Sequence, residues 1–278
     1  MNEDRRITIA ELAEATSISW SSCQRILSDD LGMRRVAAKF VPRLLTTEQK
    51  EKRLSMCTEL KNELESDADL FSKIITGDET WFYGYDPETK QQSSQWKTKN
   101  SPRPKKVREV RSNVKTMLIV FFDCRGIIHK EFVPHGQTVN QHYLEVLRRL
   151  RENVRRKRPE LWASGDWLLH HDNTPPHTAL SVRRYLASQG WTMVTHAPYS
   201  PDLAPCDFFL FPRMKRDLKG MIFEDVEEVK STSQAALQGI SIDEFQRCFE
   251  QWKNRLDKCV ATNGEYFEGD YISFYYCQ

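Results

Sequence analysis

Three aspartates in unequal settings constrain this chain most: Asp78 in Thr76-Gly77-Asp78-Glu79-Thr80-Trp81, Asp172 in His170-His171-Asp172-Asn173, and Asp207 in Tyr199-Ser200-Pro201-Asp202-Leu203-Ala204-Pro205-Cys206-Asp207. Each ends or follows an apolar stretch, where a bare carboxylate is costly unless something binds it. Carboxylates brought together from distant segments repel one another unless divalent metal neutralises them. A site with oxygen donors only suits Mg²⁺ or Mn²⁺ rather than zinc. The expected fold therefore delivers three separated segments to one point, and the expected chemistry is two-metal phosphoryl transfer.

Composition narrows the class. A chain of 278 residues has room for one large domain and a small one. With 29% charged residues and a mean hydropathy of −0.63 it reads as a globular protein without a membrane span. Its longest apolar run, Met117 to Phe122, is far too short to cross a bilayer. Residues Met1 to Arg6 offer no apolar core for a secretory signal. The seven cysteines are scattered with no C-x-x-C pair, which favours reduced thiols inside the cell and argues against structural zinc. Net charge is only +2, but Lys97–Lys115 carries eight basic residues against Glu109, and Arg148–Arg158 carries seven against Glu152. Local fields of that kind are expected to bind phosphate, although either cluster alone also reads as a solvated face or a tail.

Residues 1–32 read as a small all-α helix-turn-helix module. Thr8 is placed to cap a helix through Ile9, Leu12 and Ala13, Thr16-Ser17-Ile18 to turn, and Ser19 to cap a second helix. Trp20, Cys23, Ile26 and Leu27 then share one face, leaving Ser21, Ser22, Gln24 and Arg25 to meet base edges in a DNA major groove. Residues 33–69 read as a linker and a helix. Arg34, Arg35, Lys39 and Arg43 lie in a basic stretch held extended before Pro42, suited to tracking a DNA backbone, and Thr46 or Thr47 starts a charged helix to about Leu64.

Residues 70–278 form the expected catalytic domain. Strands are predicted at Ile74–Tyr83, Lys115–Asp123, Ile127–Val133, Trp167–His171 and Trp191–His196. Helices are predicted at Asn140–Lys157, Thr178–Gln189 and Pro205–Leu218, the last placing Asp207 in a first turn whose dipole favours a carboxylate. Residues 84–114 are a long polar, basic, proline-bearing insertion with Trp96 as an aromatic anchor. Loops of that length inside a domain are functional or disordered. Lys105 and Lys106 in this insertion are expected to bind DNA, and Ser101 to Arg108 also has the character of a nuclear import signal.

The local sequences resemble those of mariner transposases. The resemblance is carried by His170-His171-Asp172-Asn173-x-x-x-His177, Tyr199 to Asp207, Gly77-Asp78-Glu79-Thr80-Trp81 and the spacing of the last two aspartates. It continues through Phe40-Val41-Pro42-Arg43-Leu44-Leu45, Lys115–Asp123 and Gly264-Glu265-Tyr266-Phe267, in order along nearly the whole chain. The strand meander and alternating helices match the RNase H-like fold of that family, a mixed sheet flanked by helices. The resemblance implies a nuclear DNA transposase. It nicks at inverted-repeat ends of double-stranded transposon DNA, cuts the second strand and joins 3′-hydroxyls to a TA target. It also implies a homodimer in which the 84–114 insertion is a clamp-like loop reaching the partner subunit, with Trp96 a contact.

Within that frame Asp78 is expected to bridge two Mg²⁺ or Mn²⁺ ions, with Asp172 and Asp207 each completing one set. Glu79 is expected to face away from Asp78 on the strand and is left out. Asp202 is an alternative third ligand but sits among turn residues, and Asp207 better matches the family spacing. Asn173 and His177 are expected either to orient water or substrate or to be satisfied loop polar groups. Adjacent His170 and His171 point to opposite strand faces, against zinc. A metallophosphohydrolase built on His171-Asp172 would need an all-helical core. Members of the family carry two helix-turn-helix modules and the residues before Ile7 are too few for the first. A DNA-binding remnant or host-adopted protein without full transposition is therefore the alternative.

Overall fold

Two residues beyond one rung of a parallel strand pair, two of the three aspartates emerge side by side, and the fold is best described from that rung. The computed structural model describes residues 6–267 apart from 37, 39, 91, 107–109, 135, 137 and 138. They divide into two units, residues 1–40 and 41–278.

In the smaller unit α1 (Ile9–Thr16) begins at Thr8, whose hydroxyl accepts from the Glu11 amide while the Glu11 carboxylate reaches back to the Thr8 amide. The reciprocal pair satisfies donors that a helix start leaves open. Ser17 ends α1 in a left-handed conformation, and Ser19 caps α2 (Trp20–Arg25), which runs on into a π-helical turn, Ile26–Asp30. The expected apolar face of α2 is only partly covered: Cys23 is buried, whereas Trp20 and Ile26 are exposed within the described residues.

The larger unit opens with α3 (Thr47–Ser66), started by a capping box between Thr46 and Gln49, and the short α4 (Leu70–Lys73). Strands β1 (Ile74–Tyr83), β2 (Lys115–Asp123) and β3 (Gly126–Phe132) form an antiparallel meander. Next come α5 (Val139–Lys157), α6 (Pro159–Ser164), β4 (Leu168–His170), α7 (Pro175–Thr178), α8 (Leu180–Ser188) and β5 (Thr192–Val194). A 3₁₀ turn at Pro201–Leu203 and a π-helical turn at Cys206–Leu210 lead into α9 (Phe211–Arg216), α10 (Val226–Gln238) and α11 (Ile242–Ala261). Strand order is β3-β2-β1-β4-β5, with β4 and β5 parallel to β1.

Alternation along the sheet builds two cores. On one face Ile74, Phe82, Leu118, Val120 and Phe122 pack with Cys57 of α3, Met214 of α9 and Phe249 and Trp252 of α11. On the other, Ile75, Ile119, Phe121 and Ile128 pack with Tyr143, Leu147 and Leu150 of α5 and Val182 of α8. Gly77 faces that second core at its tightest point, where an added Cβ would come within 2.1 Å of the Phe121 ring. A side chain there would force the strand bearing Asp78 off its neighbour.

Several expectations are corrected. Helix α3 packs along α11 and belongs with the catalytic unit, so contact falls away near residue 40 rather than residue 69. Apolar contact from Cys57, Leu60 and Leu64 overrides the charged appearance of that helix. The helix expected from Thr178 begins at Leu180, because Ala179 leaves the helical conformation and separates it from the preceding turn α7. Helices α10 and α11, absent from the expected list of elements, complete the first core.

Candidate active site

Strands β1 and β4 end their pairing at Thr76 opposite His170, and the Thr76 hydroxyl lies 2.9 Å from His170 Nδ1 across that rung. Asp78 and Asp172 each lie two residues further on, at the same end of the sheet. Asp207 arrives from the π-helical turn, which packs on β1; its amide donates to Ala204 O at 2.9 Å. Burial, with the neighbouring carboxyls of Asp207, Glu79 and Asp172, pushes the Asp78 carboxyl well above the usual carboxylate range. Burial and then Asp172 raise the Asp207 carboxyl to about 7, against the opposing charge of Lys215. The expected benefit of a helix start at Asp207 is therefore outweighed by burial and, after it, by the like charge of Asp172.

Asp172 is held differently. Burial works against its charge, but His177 and the Thr174 donors keep its carboxyl well below the usual range. Its Oδ1 lies 2.6 Å from His177 Nδ1, and accepts from the Thr174 amide at 3.1 Å and the Thr174 hydroxyl at 2.8 Å. His177 is buried against the Tyr143 ring, 4.3 Å between centroids, and its Nε2 lies 3.1 Å from Glu79 Oε1. Burial would lower the imidazole, yet its bonds to Asp172 and Glu79 raise it to about 10. Alternation does turn Glu79 away from Asp78, as expected, but toward His177 rather than away from the site. Asn173 is exposed and donates to His196 O at 2.6 Å.

The paired histidines diverge. His170 packs on Trp252 and faces His196, while His171 stacks on Tyr143 and is bonded to its hydroxyl. Burial and nearby imidazoles push His170 well below its usual range and His171 down to about 3, so both are neutral. The donors around the aspartates fit a divalent cation in kind and in charge: they are oxygens, and the burial and like-charge crowding that disfavour the ionised forms of Asp78 and Asp207 are what a cation would relieve. Among the described residues no group of three His, Cys, Asp or Glu side chains is arranged to hold an ion by itself. Water or substrate oxygens would complete its shell.

The residues expected to meet DNA divide sharply. Gln24, Arg25, Arg34, Arg35 and Lys105 are exposed, whereas the Ser22 and Ser21 hydroxyls lie 2.8 and 3.3 Å from Ser19 Oγ at the start of α2. Lys39 lies outside the described residues. Arg43 stacks over the Tyr199 ring at 4.3 Å, and Lys106 pairs with Glu88. In the Arg148–Arg158 cluster Arg149 binds Glu131 and Arg158 binds the buried Asp123, both acids outside the cluster, while Arg155 binds Glu152 within it. Trp96 is fully exposed on an insertion whose root is closed by Gly84 N to Val114 O and joined to Phe223 and Gly220.

Comparison with known proteins decides the family. A family model described as "Transposase (partial DDE domain)" matches residues 86–164, an interval lying between Asp78 and Asp172. Mariner Mos1 transposase of Drosophila mauritiana is 33% identical over 270 residues, covering 96% of this chain and 77% of the relative. The chain belongs to the mariner transposase family. Another relative in sequence, the human histone-lysine N-methyltransferase SETMAR, is 29% identical over 273 residues, which span 38% of that protein. Among solved structures, a pre-cleavage Mos1 transpososome superposes with a TM-score of 0.81 at 32% identity, covering 96% of this chain and 77% of that one. The Mos1 catalytic domain alone gives 0.69 at 32% identity, covering 82% of this chain and all of that one. The mixed sheet and its flanking helices are thus the RNase H-like catalytic fold of mariner transposases, accompanied by a helical N-terminal region.

Proposed function

We propose that this chain is a metal-dependent DNA transposase that cuts phosphodiester bonds at transposon inverted-repeat ends and joins the 3′-hydroxyls to target TA sites. The observation that carries the reading is the delivery of Asp78 and Asp172 two residues beyond the Thr76–His170 rung, with the turn bearing Asp207 packed on the same strand. Related Mos1 structures support the substrate and the metal: paired-end complexes with Mg and with Mn, and a strand transfer complex.

In this reading Asp78 takes the central place, with Asp172 and Asp207 on either side, to hold two Mg²⁺ or Mn²⁺ ions. When bound, such a pair lowers the pKa of an attacking water or 3′-hydroxyl and stabilises the leaving oxygen. The chain's own part is to keep three acids apart in sequence but adjacent in space. Oδ1 of Asp172 is fixed by His177 and Thr174, which orients the carboxylate before substrate arrives. Exposed Gln24 and Arg25 of α2 are assigned to base edges, and Arg34, Arg35 and Lys105 to phosphates. Trp96 is assigned to contact with a second subunit in a homodimer, and action on chromosomal DNA places the protein in the nucleus.

Nicking of supercoiled plasmid in Mg²⁺ and in Mn²⁺, beside an Asp207→Asn control, tests the reading. Metal-dependent nicking that disappears in the control is expected. Folded protein that binds DNA but nicks with neither metal would overturn it in favour of a binding remnant.

A further inference from the structure

Glu79 is a largely buried acid with one side-chain partner among the described residues, His177 Nε2 at 3.1 Å. The same imidazole places Nδ1 2.6 Å from Asp172 Oδ1. Glu79 also touches the other side of the site through its backbone, donating its amide to Asp78 Oδ1 at 2.7 Å. One residue thus joins two of the three aspartates, one by its main chain and the other through an imidazole. The tie is asymmetric at Asp172: every protein donor reaching that carboxylate among the described residues goes to Oδ1. Oδ2 is left as the oxygen free to meet an incoming ligand.

The surroundings give the imidazole little freedom. Its side chain is 0% exposed, packed between Tyr143 at 4.3 Å and His171 at 4.6 Å between ring centroids. The Tyr143 hydroxyl is bonded to His171 rather than to His177, so it does not compete with Glu79 for Nε2. An imidazole held at both nitrogens presents a fixed edge to the carboxylate, and such outer partners govern how a metal-binding acid is aimed.

We propose that Glu79 is a positioning residue for strand cleavage, holding His177 so that Asp172 offers Oδ2 to a divalent cation in one fixed orientation. The proposal rests on the reading of Asp172 as a metal-holding carboxylate, and its consequence is measurable without catalysis. Glu79→Ala removes the acceptor. Glu79→Gln keeps an oxygen at the same reach, so a role in orientation predicts that it rescues.

The test measures Mn²⁺ binding to the DNA-free protein by calorimetry, together with the Mn²⁺ dependence of plasmid nicking and binding to plasmid DNA. Glu79→Ala is expected to weaken Mn²⁺ affinity by about tenfold or more and to raise the half-saturating Mn²⁺ for nicking in step. Glu79→Gln should stay within about threefold of wild type, and DNA binding should be unchanged in both. Wild-type Mn²⁺ affinity in Glu79→Ala, or equal impairment in the Gln variant, would overturn the proposal. Should the Ala variant not fold, Glu79→Met, similar in length but without the oxygen, takes its place; if neither folds while Gln does, the role is structural and the proposal fails. An Asp172→Asn control separates the two readings. If it binds Mn²⁺ like wild type, the metal-holding assignment of Asp172 is wrong. If it loses Mn²⁺ and Glu79→Ala does not, only the positioning role is wrong.

Discussion

Arg53 grips Asp202 through two parallel hydrogen bonds, Nη1 to Oδ1 at 2.9 Å and Nη2 to Oδ2 at 2.7 Å, with both side chains withdrawn from solvent. Both oxygens of Asp202 are therefore committed to the guanidinium, which favours Asp207 over Asp202 as the proposed third acid. The Arg53 Nε donates to Gly264 O at 2.9 Å, and Arg255 donates to Asp202 O at 3.2 Å. The pair thus links α3, the turn before Asp207 and the segment after α11.

Breaking this pair from one side leaves a buried charge without its partner. Arg53→Met should lower stability by about 3–5 kcal/mol in urea unfolding. Arg53→Met combined with Asp202→Leu should cost less than the sum of the two single changes, because neither charge is then stranded.

Gly77→Ala should be destabilising despite its small size. The added methyl meets the fully buried Phe121 ring, so a loss of about 1–3 kcal/mol is expected in thermal or urea unfolding. Pairing it with Phe121→Leu should recover part of that loss; no recovery would place the strain elsewhere.

Asp172→Asn should abolish strand cleavage while leaving DNA affinity intact. Parallel nicking and gel-shift assays check both halves. Residual cutting, or joint loss of both activities, would contradict the assignment.

Glu131 gives an acid-side signature. Burial opposes its charge, but His129 and Arg149 hold its carboxyl down at about 2, from an ordinary 4.5. A depressed folded-state value stabilises the protein above about 4.5, and that contribution is lost as pH falls from there toward 2. Glu131→Gln should be less stable near neutrality, and its unfolding midpoint should fall less steeply across that acid window than the wild-type midpoint does.

Trp96 has no cover within the described chain, so its removal should cost the monomer nothing. Trp96→Ala should shift the mass measured by light scattering toward monomer with an unchanged circular dichroism spectrum. An unaltered mass would move the subunit contact elsewhere.

The central strands were legible because apolar runs broken by Gly77-Asp78 and by His170-His171-Asp172 leave little choice of element. Capping residues Thr8, Ser19 and Thr46 marked helix starts for the same local reason. Helix α11 lay within reach of that reasoning: Ser241 and Glu244 form a capping box, and Phe245, Phe249, Trp252 and Leu256 recur at helical spacing. The pairing of Arg53 with Asp202 was not legible, since nothing local in a charged helix marks one arginine as buried. For Glu79 only half was legible. Alternation does send it to the far face, but α7 brings His177 round to that face, and only the tertiary structure contains that return.

The short rung that carries Asp78 and Asp172 also has a temporal meaning. Its two strands are separated by the whole insertion, the meander and helices α5 and α6, and the core beneath it draws on α3 and α11 from opposite ends of the larger unit. Long-range parallel pairing of this kind is intrinsically slow to form. The three acids therefore meet only through contacts distant in sequence, and assembly of the site is tied to assembly of the whole sheet rather than of any local element.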